Sequence, residues 1–116
     1  MAQYEHLPIY RKAFDLAVFL ENTVRGFSRY HKYTLGTDLR DLSREIVRLV
    51  IRVNSEKEKL ATLQEVRVAI EGLKVTARIS KEVKAFSNFN TFKQVMAEAI
   101  SLSKQCEGWI KSLRGR

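Results

Sequence analysis

Apolar residues in this chain recur at intervals of three and four over long stretches, and the alternation of a β-strand is not sustained anywhere. The pattern predicts four amphipathic helices. Helix one covers residues 8–26, with Pro8 in the first turn, where its missing N–H costs nothing. Ile9, Ala13, Leu16, Leu20, Val24 and Phe27 share one face, and Gly26 offers a stop. Helix two covers 34–54, starting near Thr34 or Thr37, with Leu35, Leu39, Leu42, Ile46, Leu49 and Val53 inward. Ser55 followed by Glu58 has the form of a capping box for helix three, which the pattern carries over 56–86. Asn88 or Asn90 then caps helix four, 90–113, whose inner face is Phe92, Val95, Ala99, Leu102, Cys106, Ile110 and Leu113.

Four helices with short connections predict an all-α chain, folded as an up-down antiparallel four-helix bundle in one domain, 1–116. A helical hairpin that dimerises would use a similar pattern, but helices one and four each carry a full core face. Helix three departs from the simple scheme. Leu63, Val66, Ile70, Leu73 and Ala77 form one apolar face, while Val68, Val75, Ile79, Val83 and Phe86 form a second, roughly opposite, with Gly72 along it. A bundle this small has no central helix, so a helix apolar on both sides is expected to be shared with another copy. Phe14 and Val18 also lie off the core face of helix one. The expected oligomer interface is therefore Phe14, Val18, Val68, Gly72, Val75, Ile79 and Val83.

Charge changes the picture next. Twenty-one Lys and Arg face thirteen Asp and Glu, a net +8. An excess of that size suggests an anionic partner. Two stripes concentrate it. On helix two, Arg40, Arg44, Arg48 and Arg52 recur every four residues and drift over roughly 120° of the wheel, away from the core. Asp41 and Glu45 can reach Arg44 and Arg48 at i,i+3, and Val47 and Ile51 interrupt the face. On helix three, Arg67, Lys74, Arg78 and Lys81 fall within roughly 60° of one another, between the two apolar faces. That tighter strip is the better candidate for phosphate contact, with the helix-two arginines a broader surface for a protein partner or a ring rim. A solvated face with locally paired charges is the plain alternative for both. In "RYHKYTLG", Tyr30 and Tyr33 are expected to anchor the chain by covering the core end, although basic and aromatic residues so interleaved also suit stacking on bases.

Catalytic chemistry has no constellation here. His6 and His31 lack metal-ligand spacing with another His, Cys or carboxylate, and no Gly-rich phosphate loop is present. Cys106 lies on a core face and reads as a small apolar residue, and a lone cysteine excludes an internal disulfide. No enzyme, metal or cofactor is expected. The opening residues lack the apolar run of a signal peptide, and no uncharged stretch approaches the roughly 20 apolar residues of a bilayer span, so a cytoplasmic protein without a membrane partner is expected.

"LPIYRKAFDL", "FSRYHKYTLGTDLR", "LKVTARISKEVKAFS" and "CEGWIKSL" occur in that order over essentially the whole chain. In these segments the chain resembles the accessory variability (Avd) proteins of diversity-generating retroelements, most of all at Tyr30–Gly36 and at Gly108, Trp109 and Ile110. Avd-like proteins are relatives of the four-helix bundles encoded in ribosomal RNA intervening sequences. Those carry an "AEG"-like stretch after helix two, where this chain reads "RVNSEKEKLAT". The resemblance implies a basic, barrel-shaped homopentamer without enzymatic activity. It implies binding to the element's reverse transcriptase and, with low sequence specificity, to RNA and DNA, in support of mutagenic cDNA synthesis. Lys74, Arg78 and Lys81 match the basic positions of that pattern. An interaction module of the intervening-sequence kind, with no reverse transcriptase partner, is the rival reading.

Overall fold

The computed structural model describes residues 3–115. A short 3-10 turn, Gln3–His6, leads into α1 (Pro8–Arg25) and a single-turn helix α2 (Arg29–Lys32). Three long helices follow: α3 (Leu35–Ser55), α4 (Leu60–Glu82) and α5 (Phe89–Arg114). The four expected helices are thus α1, α3, α4 and α5, and no strand occurs among the described residues. Each packs on the next, and α5 closes back on α1. This cyclic order makes the chain a four-helix bundle in which α1 lies diagonal to α4, and α3 to α5.

The expected inner faces meet at the centre. All six named residues of helix one are buried, as are Leu63, Val66, Ile70, Leu73 and Ala77 of α4. Leu39, Ile46, Leu49 and Val53 are buried on α3, while Leu35 and Leu42 are only half covered. On α5, Val95, Ala99, Leu102, Cys106 and Ile110 are buried, and Phe92 and Leu113 pack at the margin. Removing such area from water supplies about 25 cal/mol per Å² and is the main force holding the helices together.

The helix ends differ most from expectation. The capping box at Ser55 and Glu58 does not form, and α4 begins at Leu60 rather than residue 56. Ser55 is occupied at the end of α3, where its Oγ donates to the Arg52 carbonyl at 3.0 Å. Lys59 completes that end. Its Nζ donates to the carbonyls of Val53 (2.9 Å), Asn54 (3.2 Å) and Glu56 (2.7 Å). The Val53 carbonyl also accepts from the Glu56 N–H at 3.2 Å, and a cation suits the negative end of the helix dipole. At the start of α5, by contrast, Asn88 caps as expected, accepting from the Thr91 N–H at 2.8 Å.

α4 stops at Glu82, short of residue 86. Lys84 adopts φ 62°, the left-handed conformation, and the Ala85 N–H donates to the Ser80 carbonyl at 2.8 Å. This is a Schellman stop with lysine where glycine is usual. The reversal turns Phe86 inward, so it leaves the second apolar face on which the helical pattern placed it. Its ring meets Phe27 edge-on at 5.4 Å and Phe92 at 5.8 Å, closing this end of the core. Nearby, α3 approaches α1 and α2 through Gly36. A Cβ there would stand 2.6 Å from Val24 Cγ1 and 3.1 Å from the His31 carbonyl oxygen.

Two substitutions test these ends by chemical denaturation. Gly36→Ala should lose about 1–3 kcal/mol, because the branched Val24 has nowhere to retreat. Lys84→Gly should gain about 1 kcal/mol by removing a left-handed non-glycine residue.

Candidate nucleic-acid interface

The arginine stripe of α3 is electrically balanced. Arg44 donates to Asp41 at 2.7 Å and to Glu21 of α1 at 3.2 Å. Arg48 holds Glu45 at 3.2 and 2.9 Å. Arg52 spans Glu56, at 3.0 Å, and Glu65 of α4. Arg40 is half-buried, donates to Thr37 Oγ1 at 3.5 Å, and has a covered Nε with no partner. The i,i+3 pairs to Asp41 and Glu45 are those the spacing predicts. Glu21 and Glu65 come from other helices, and only the packed bundle brings them into reach. Exposed pairs of this kind contribute about 0–1 kcal/mol each. Their larger effect is to offset the positive field of the stripe.

The α4 strip borders α5. Arg67 donates through Nε and Nη2 to both Glu107 oxygens, at 2.7 and 2.8 Å. That fork fixes the guanidinium against α5 at the surface, with its Nε and Nη2 donors engaged by the carboxylate. Lys74 reaches Glu71 at 2.7 Å, and its side chain is only 13% exposed. Lys81 lies 3.5 Å from Glu82 and also stands over the rings of Phe89 and Phe92, at 5.8 and 5.5 Å. Arg78 is exposed and has no carboxylate within 4.0 Å among the described residues. The four residues share one seam, but their free charge is concentrated toward its Arg78–Lys81 end.

The same end departs from expectation in its aromatic rings. Tyr30 and Tyr33 do not cover the core; they are 75% and 68% exposed. Phe27 and Phe86 fill the position the tyrosines were expected to occupy, so the rings on α2 and its flank face outward. Phe89 is also exposed, at 58%.

Among the described residues, exposed apolar side chains gather on α4 and on α1. On α4, Val68 is 70% exposed, and Val75, Ile79 and Val83 continue the line. Gly72 is half-buried beside α3, where an added Cβ would meet Leu42 Cδ2 at an ordinary 3.7 Å. Phe14 and Val18 form the other patch, on α1. The Glu21–Arg44 pair marks the antiparallel register of α1 and α3, on which Val18 and Phe14 lie level with Val47 and Ile51. Because α1 and α4 are diagonal, the two patches lie on opposite sides of the bundle.

Cys106 is buried, and its Sγ lies 3.5 Å from the Leu63 carbonyl. Burial pushes the thiol up to about 11, far from the range of a reactive thiolate. Among the described residues no group of three or more His, Cys, Asp or Glu gathers in a way that could hold a metal, and no helix is long and apolar enough to cross a membrane. Compared with known proteins, the chain matches no family model and no curated protein.

The Arg67 fork holds the Glu107 carboxyl below its ordinary value, and Glu107 in turn raises Arg67. A depressed acid stabilises the fold above its unfolded pKa, and that contribution is lost as pH falls through the folded one. The Glu107 carboxyl signal in an NMR titration should therefore move at lower pH than a free glutamate. In Arg67→Met it should return to the ordinary range.

Proposed function

We propose that the protein is a non-enzymatic accessory subunit of the Avd kind. In this reading it forms a closed homo-oligomeric ring, of five subunits by resemblance. It holds a reverse transcriptase together with template RNA or cDNA. The observation that carries the reading is the pair of uncovered apolar patches on diagonal helices. A patch on one side of a bundle and a different patch on the other make a head-to-tail contact, and head-to-tail contacts generate rings when the rotation closes. Within such a ring the seam between α4 and α5 would repeat around the assembly, and the unpaired Arg78 of each copy would add to one field.

Phosphate contact, on this account, falls to Arg78 and Lys81, with Lys74 and Arg67 held by their own acids. The balanced α3 stripe is better suited to a protein surface, where a reverse transcriptase would displace or extend the existing ion pairs. That balance is also the feature favouring the rival, an interaction module of the intervening-sequence kind without nucleic acid.

Two sets of variants separate these roles. Val75→Glu with Ile79→Glu should release single bundles with unchanged helical content, read by light scattering and circular dichroism. Arg78→Glu with Lys81→Glu should preserve the assembly but weaken RNA binding about tenfold at low salt, and should flatten the salt dependence by about one unit of slope per lost contact. Co-purification with a cognate reverse transcriptase should survive the second pair of changes and fail in Arg44→Glu with Arg48→Glu. Unchanged RNA affinity would remove nucleic acid from the proposal. Co-purification unaffected by the α3 changes would remove α3 as the polymerase surface.

A further inference from the structure

We infer that the end of the bundle built from the α1–α3 and α4–α5 connections is a platform for unpaired nucleotides. Bases would stack there on Tyr30, Tyr33 and Phe89. The inference rests on the nucleic-acid reading above and specifies both its place and its ligand class, single-stranded RNA or DNA.

Charge is the first observation. Residues 25–40 and 78–93 contain eight Lys and Arg against only Asp38 and Glu82, and so hold six of the chain's eight net positive charges. The fold brings these two segments to one end, where Phe27 of the first meets Phe86 of the second at 5.4 Å. The second observation is the aromatic surface. Tyr30, Tyr33 and Phe89 are the most exposed aromatic rings of the described chain, and all three belong to this end. Phe89 is held in place by its neighbours, with Phe92 at 5.8 Å, Lys81 Nζ at 5.8 Å and Lys93 Nζ at 5.9 Å from its ring centre. Lysines over the ring draw phosphate to the spot where a base would stack.

The third observation is Lys84. It occupies a left-handed position that glycine would fill without strain, and it is exposed at this same end. Strain retained at one residue is often a sign of use. Here what is retained is a cation between the two aromatic groups along the chain. Exposed rings can stack only on bases whose faces are free. The preference is therefore for single strands, with little dependence on sequence.

The test uses the whole protein with a labelled, unstructured oligonucleotide and with the same strand annealed to its complement. Tyr30→Ala, Tyr33→Ala and Phe89→Ala combined should reduce single-strand affinity at least about tenfold and leave duplex affinity within about twofold. Tyr30→Phe with Tyr33→Phe should keep full affinity, because the rings remain. A fluorescent base analogue in the strand should be quenched by the wild type and not by the triple alanine variant. If the wild type binds the strand and the triple variant binds it equally well, the platform is wrong and the nucleic-acid reading stands. Equal loss for strand and duplex also overturns base stacking. Binding of neither probe by the wild type overturns both readings.

Discussion

One constraint organises the molecule: α4 has two apolar faces, and a four-helix bundle has an inside for only one. Leu63, Val66, Ile70, Leu73 and Ala77 take the interior. Val68, Val75, Ile79 and Val83 are left in water on the opposite side. An isolated valine on a surface needs no explanation, but a continuous line along the length of a helix does. The cyclic packing order then fixes where the remaining surfaces lie. The Phe14 and Val18 patch is opposite, on α1, while the acidic partners of the α3 arginines occupy one side and the cations of the α4–α5 seam the other.

Charge placement follows from the same packing. Arg44, Arg52 and Arg67, three of the twenty-one Lys and Arg, are held by carboxylates from neighbouring helices. The unbalanced remainder gathers where helices end. There α4 and α1 present C-terminal, partially negative ends and α3 and α5 present N-terminal, partially positive ones, so the dipoles of the four long helices largely cancel. The helix ends therefore supply no structural reason for the excess of cations. The exposed tyrosines and Phe89 have no structural reason either, since Phe27, Phe86 and Phe92 already close the core.

The inner faces of all four long helices were legible in the sequence, because period and burial are both local properties of an amphipathic helix. The cap at Asn88 was legible for the same reason. The α3–α4 turn was not. Ser55 and Glu58 have the right spacing for a cap, but Lys59 reaches back to three carbonyls and ends α3 in another way. The Phe86 reversal was hidden because lysine, not glycine, takes the left-handed position at residue 84. Tyr30 and Tyr33 were misplaced because two phenylalanines from distant segments compete for the same site at the core end. The i,i+3 ion pairs could be read from spacing, whereas Glu21, Glu65 and Glu107 meet their arginines only after the helices pack.

In the proposed function, the exposed α4 and α1 faces close on one another between copies of the chain. Sedimentation equilibrium of the unmodified protein over a wide concentration range tests it most directly. One closed stoichiometry that persists on dilution and does not grow on concentration is expected. A single-chain mass at every concentration would contradict it.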